Sequence, residues 1–227
     1  MTVSVAPALL GADPLHLQAA IDAVNDSNAP YLHLDIMDGH YTHDISFGLR
    51  TITAIRDHTQ LPLDVHLQTI QPDRYVDDLV RIGVDRVSLH IDAATDIDAT
   101  LDTLQTAGVR KGLVLNPDLG IARLAPYLGR LDFVILMTSQ PGTSTFDPTV
   151  PDKIRKLRTI LQDRYLDTVE LVADGGVAGH TAPKVIEAGV DTLVAASAVF
   201  KSPDTDIQTA IDNLTKSGNP AANVGNS

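Results

Sequence analysis

The sequence predicts a single-domain α/β fold, a (β/α)8 TIM barrel. Three observations point to it. Short runs rich in aliphatic and β-branched residues recur along the 227 residues, with amphipathic stretches between them. Successive runs begin about 20 to 40 residues apart, the span of one βα unit. The runs are mostly apolar, as parallel strands covered on both sides should be. A doubly wound open sheet is the competing arrangement.

The first run is VSVAPALL at 3–10, followed by the amphipathic stretch 13–24, which opens on an Asp. YLHLDIMD at 31–38 and LPLDVHLQ at 61–68 are the second and third strands, and a helical pattern follows at 74–84. DRVSLHID at 85–92 leads to a helix over 97–109, which stops at Ala107-Gly108. RKGLVLNP at 110–117 and LDFVILMT at 131–138 are strands five and six, and 151–162 reads as a helix. TVELVADG at 168–175 and DTLVAASA at 191–198 complete the set, with Ala188-Gly189 closing the helix between them. The barrel is expected to occupy 1–216. The tail 217–227, SGNPAANVGNS, is small and polar and is expected to be disordered.

Acidic residues outnumber Lys and Arg by 29 to 17, a net charge of −12, which argues against nucleic acid or an anionic membrane as partner. A small phosphorylated ligand stays compatible, because backbone N–H groups hold phosphate without any Lys. The chain has no Cys, which removes thiolate chemistry and Cys-ligated zinc. No run approaches the roughly 18 apolar residues of a membrane span. Leu9-Leu10 is too short for a signal peptide, so a cytoplasmic protein is expected. No G-x-G-x-x-G or P-loop signals a nucleotide cofactor.

The chemistry gathers at the strand ends. Side chains alternate along a strand, so Tyr31, His33 and Asp35 share a face opposite Leu32, Leu34 and Ile36. A buried carboxylate is expensive unless something pairs with it. The third strand carries Asp64 and His66, the fourth Ser88 and His90, the fifth Asn116, the sixth Met137 and the seventh Asp174. In a (β/α)8 barrel these ends form the active face. His33, Asp35, His66 and Asp174 together match the ligand set of a divalent cation. Asp64 reads as a residue that orients His66 from the same strand face, and His90 as a hydrogen-bonded core histidine. His16, His43, His58 and His180 read as surface residues. Asp35 and Asp174 are expected on opposite sides of the mouth, as a base and an acid inverting a carbon next to a carbonyl require, and a metal would steady the enediolate.

The order of APALLGAD (6–13), HLDIMDGHY (33–41), DVHL (64–67), LVLNP (113–117), MTSQPG (137–142), ADGGV (173–177) and ASAVF (196–200) resembles the ribulose-phosphate 3-epimerases. The resemblance implies a barrel of the ribulose-phosphate-binding type that interconverts D-ribulose 5-phosphate and D-xylulose 5-phosphate through a cis-enediolate. It implies His33, Asp35, His66 and Asp174 as ligands of one zinc, manganese, iron or cobalt ion, and Asp35 and Asp174 as the acid/base pair. It further implies Met37 and Met137 as a soft apolar cap over the carbanion, and a homo-oligomer, either dimer or hexamer.

Four positions depart from the family's pattern. The P-S-I-L-S of its first strand is Pro7-Ala8-Leu9-Leu10-Gly11, so the serine that touches substrate is Ala8. The Met of D-V-H-L-M is Gln68. The P-G-F-G-G-Q-x-F loop over the phosphate is Pro141-Gly142-Thr143-Ser144-Thr145-Phe146, two residues shorter and poorer by two glycines. The final G-S is Ala196-Ser197. Thr143, Ser144 and Thr145 offer hydroxyls in place of the lost glycines, while Gly175 and Gly176 keep part of the phosphate cup. Substrate contacts are therefore expected from Ala8, Met37, Gln68, Met137, Gly142, Thr143, Ser144, Gly175, Gly176, Ala196 and Ser197. A diverged paralogue for another ketose phosphate, such as a hexulose 6-phosphate, is the alternative, and a non-catalytic sugar-phosphate binder a weaker one. A decarboxylase of related barrels would carry D-x-K-x-x-D, yet Asp35-Ile36-Met37-Asp38 has no Lys. A metal-dependent hydrolase commonly opens with His-x-His, which VSVAPALL lacks.

Overall fold

The computed structural model describes residues 3–201 and 206–218. Eight strands run in chain order: β1 Ser4–Pro7, β2 Leu32–Met37, β3 Leu63–Gln68, β4 Arg86–His90, β5 Arg110–Leu115, β6 Phe133–Met137, β7 Glu170–Asp174 and β8 Thr192–Ala195. All pair in parallel in the ring order β1-β8-β7-β6-β5-β4-β3-β2. A parallel bridge between Ala8 and His33 joins β1 to β2 and closes the ring. This is the (β/α)8 barrel, not the open sheet.

The helices are α1 Leu17–Asn25, α2 Leu49–His58, α3 Val76–Ile82, α4 Ile97–Ala107, α5 Val150–Asp163, α6 Ala182–Ala188, α7 Ser197–Phe200 and α8 Ile207–Ser217. α4 shows how sequence sets such an element. Asp96 Oδ1 accepts from Ala99 N–H at 2.9 Å and caps the start, while Gly108 at φ 71° ends it. Leu101 and Leu104, three residues apart, are fully buried on the face toward the strands.

Several boundaries differ from the expected ones. α1 begins at Leu17 because Asp13 instead accepts from Leu15 N–H at 3.0 Å, making a turn. The run 3–10 leaves the sheet at Pro7 and continues as a 3-10 turn over Leu9–Gly11. The run 191–198 leaves it at Ala195, and Ser197 starts α7. The fifth unit has no α-helix: Pro117, Gly120, Pro126 and Gly129 interrupt the segment, which folds as 3-10 turns over Ile121–Leu124 and Leu128–Arg130. α8 reaches Ser217, so the helix passes the expected boundary at 216, and residues 219–227 of the tail lie outside the described residues.

Two cores result. The larger lies between strands and helices. The smaller fills the barrel itself and includes Ala6, Tyr31, Val114, Phe133, Ile135, Val172 and Val194. Gly112 faces Phe133 across β5 and β6, where a Cβ would come within 2.4 Å of the ring, so its absence admits the aromatic to the axis. Arg86 lies between the rings of Tyr31 and Phe133, 4.1 Å from each. Its guanidinium is paired with Asp64 at 3.2 Å and with Glu170 at 2.8 Å. The barrel floor is thus charged but internally matched.

Candidate active site

Alternation on β2 and β3 sends His33, Asp35 and His66 into the barrel, and Asp174, the last residue of β7, reaches the same point. One nitrogen or oxygen from each lies within 4.8 Å of all the others. His33 Nε2 stands 3.4 Å from Asp35 Oδ1 and 3.7 Å from Asp174 Oδ2, and His66 Nδ1 stands 3.3 Å and 3.2 Å from the same two oxygens. A tetrahedral ion with bonds of about 2.0–2.2 Å needs ligand atoms about 3.3–3.6 Å apart. His33 Nε2 is buried and has no hydrogen-bond partner. A buried ring nitrogen near two carboxylates and without a hydrogen-bond partner is what a metal ligand presents. The residues fit a divalent cation.

The second ring of contacts fixes the imidazoles. His33 Nδ1 is bonded to Asp64 Oδ2 at 2.8 Å, and Asp64 is bonded to Arg86. Because a carboxylate only accepts, Nδ1 carries a proton, which leaves Nε2 as the nitrogen that can ligate an ion. Asp64 therefore orients His33, not His66 as expected. The register pairs His33 with Asp64 and Asp35 with His66, and neighbours across a ladder are about 4.8 Å apart whereas i and i+2 on one strand are about 6.6 Å apart. His66 is oriented by His90, Nε2 to Nε2 at 2.9 Å. His90 is the hydrogen-bonded core histidine that was expected.

Charge follows from this packing. Burial alone pushes Asp35 up, but the charge and hydrogen bonds of His33 and His66 reverse this and hold its carboxyl well below the usual range. Burial likewise pushes Asp64 up and is outweighed by Arg86 and His33, which hold it low. Burial lowers His33, while Asp35 and Asp64 outweigh it and raise the imidazole well above its ordinary value, so that with no ion between the carboxylates Nε2 also holds a proton, which a bound cation would replace. His90 is pushed far down, by burial first and by His66 second, and stays neutral.

Above this cluster opens a cavity of about 770 Å³. Asp35 and Asp174 form part of its floor. They stand closer than expected for opposite sides of the mouth, since only β1 and β8 intervene and their nearest oxygens belong to the 4.8 Å cluster.

At the far end the chain turns sharply through Gly142, Gly175 and Gly176, with φ of 74°, 102° and 63°. A Cβ on Gly175 would lie 2.3 Å from Ser139 Oγ, and one on Gly176 2.5 Å from the Ser144 carbonyl oxygen. Only glycine lets these two segments approach. Ser139 Oγ donates to the Thr143 carbonyl at 2.8 Å and Thr138 Oγ1 to the Gly175 carbonyl, tying the loop after β6 to the turn after β7.

Residues 4–200 match the model of the ribulose-phosphate 3 epimerase family. The chain belongs to that family. Among its relatives, the ribulose-phosphate 3-epimerase of Bacillus subtilis is 37% identical over 89% of this chain and 94% of its own length. That of Synechocystis is 36% identical over 89% of each chain. The chloroplastic ribulose-5-phosphate-3-epimerase of Arabidopsis thaliana is 34% identical over 97% of this chain and 79% of its own. Among solved structures, Mycobacterium tuberculosis tryptophan synthase matches with a TM-score of 0.69 over 95% of this chain and 92% of its own. At 13% identity that likeness shows the barrel fold alone. By descent this chain is an epimerase-like isomerase.

In this epimerase-family barrel, all eleven residues expected to contact substrate line the one cavity: Ala8, Met37, Gln68, Met137, Gly142, Thr143, Ser144, Gly175, Gly176, Ala196 and Ser197. His16, His43 and His58 are exposed, as expected. His180 is exposed too, yet it lines the cavity rim, as does Lys201, which sequence reasoning did not single out. The available signal was position: Lys201 follows Ser197 by one helical turn. Among the described residues no helix is long and apolar enough to cross a membrane.

Proposed function

We propose that this chain inverts C3 of a ketose phosphate, interconverting D-ribulose 5-phosphate and D-xylulose 5-phosphate, with one divalent ion held by His33, Asp35, His66 and Asp174. The observation that carries this reading is the meeting of two carboxylates and two oriented imidazoles on the floor of one cavity. The names of the relatives supply the substrate. Zinc, manganese, iron and cobalt all suit this donor set.

In one direction Asp35 takes the C3 proton and becomes a carboxylic acid. The electron pair left behind spreads onto the C2 oxygen as a cis-enediolate. Asp174, entering as the acid, then returns a proton to the opposite face of C3 and leaves as a carboxylate. The reverse reaction exchanges the two roles. The ion, when bound, supplies positive charge against the oxygens on which negative charge develops. Met37 and Met137, both buried, keep water from the reacting carbon. The phosphate fits the end formed by Gly142, Gly175 and Gly176, with Lys201 and His180 at the rim.

Uptake of solvent deuterium at C3 tests the reading. Wild type exchanges and inverts, whereas Asp174→Asn loses at least about 10²-fold in both while keeping its fold. Full activity in that variant removes Asp174 from the role, and binding without exchange makes the chain a sugar-phosphate binder. The short Pro141–Phe146 loop and Ala8 favour a second reading, turnover of a hexulose 6-phosphate, which a panel of pentulose and hexulose phosphates separates. A homo-oligomer, dimer or hexamer, is also proposed. Leu10, Leu15, Ile45 and Ile70 are exposed on the first three βα loops, and light scattering checks it.

A further inference from the structure

Gln68 ends β3 beside Met37 and is 3% exposed. Its Nε2 donates to Asp35 Oδ1 at 2.8 Å. A carboxylate has no proton to give at this site, so the amide nitrogen must face Asp35 and the oxygen must face away. That oxygen, Oε1, is buried and accepts nothing, although Gln68 lines the cavity. Met37 beside it, and Met137 elsewhere in the cavity lining, offer no donor. The cavity wall therefore holds an oriented acceptor that has no partner within the protein and is closed to water in the empty site. Ala8, at the end of β1, presents only a methyl group to the same cavity.

We propose that Gln68 determines specificity: Oε1 accepts a hydrogen bond from one hydroxyl of the bound ketose phosphate, while Nε2 holds Asp35. The inference rests on the substrate class proposed above. A ligand without that hydroxyl leaves Oε1 buried and unpaired, which weakens binding by about 10–100-fold.

The test is calorimetric titration of the manganese-loaded protein with D-ribulose 5-phosphate and its analogues deoxygenated at C1, C3 or C4. In wild type, one analogue binds about 10–100-fold more weakly than the parent sugar. In Gln68→Met that penalty shrinks to about threefold or less, because the acceptor has gone. An equal penalty in both proteins overturns the proposal. So does a wild type that binds every analogue within about threefold of the parent, which would mean that water satisfies Oε1; this arm needs no folded variant. Deuterium exchange at C3 is followed in parallel. Binding without exchange sinks the epimerase reading and leaves the Gln68 contact standing, whereas exchange with no hydroxyl penalty does the reverse. Failure of every ketose phosphate to bind overturns both.

Discussion

His33 Nδ1 lies 2.8 Å from Asp64 Oδ2, and the bond crosses from β2 to β3. It fixes a proton of His33 on the side away from the cavity. The same carboxylate is tied to Arg86, itself paired with Glu170. A chain of charge therefore runs from the barrel floor to the ring of a proposed metal ligand.

Asp64→Asn tests that chain. The amide keeps the shape but presents no full charge to His33, so divalent-ion affinity is expected to fall about 10–100-fold. Competition with a chromogenic chelator measures it. The gain in thermal stability on adding manganese should shrink in step, since stabilisation by a ligand follows its occupancy of the folded state. Unchanged affinity would make Asp64 a purely structural partner of Arg86.

Gly176→Ala probes the phosphate end. The residue is at φ 63°, and a Cβ there meets the Ser144 carbonyl oxygen at 2.5 Å. The loop bearing Thr143 and Ser144 must move away. Because this end is remote from C3, KM for the phosphorylated sugar is expected to rise about tenfold with kcat nearly unchanged, the pattern of lost uniform binding. A fall in kcat with KM constant would place the phosphate elsewhere.

Acid stability has a separate source in Asp73. Its carboxylate accepts from Thr95 N–H at 2.8 Å, Asp96 N–H at 3.3 Å and Thr100 Oγ1 at 3.0 Å, pinning the start of α4. Burial pushes this carboxyl up, but those donors outweigh it and bring it below its ordinary 3.8. A group whose folded value is depressed stabilises the fold above its unfolded value and loses that contribution as pH falls through the folded one. Asp73→Asn should therefore be about 1–2 kcal/mol less stable at pH 7. The gap should narrow only as pH drops below 3.8. Urea titrations at pH 7, 5 and 3 follow it, and a gap independent of pH would rule out the ionised form as its origin.

Much of the site was legible without coordinates. Period-2 alternation placed His33, Asp35 and His66 on the inward face, and the barrel rule placed their chemistry at the strand ends. Glycine at 175 and 176 marked turns that only glycine makes, and both have positive φ. Gln68 was legible as a departure, but not the direction of its amide, which depends on Asp35 one strand away.

What the sequence by itself determined is local: where the strands lie, which side chains face inward, and which residue types gather at the mouth. These follow from backbone geometry within a few residues. Partnership was decided by tertiary structure. Asp64 serves His33 because lateral spacing in a ladder is shorter than the i to i+2 repeat, and that lateral register is set by the packing of the whole barrel. The closeness of Asp35 to Asp174 and the place of Lys201 at the rim likewise arise from ring closure, which joins residues more than a hundred positions apart.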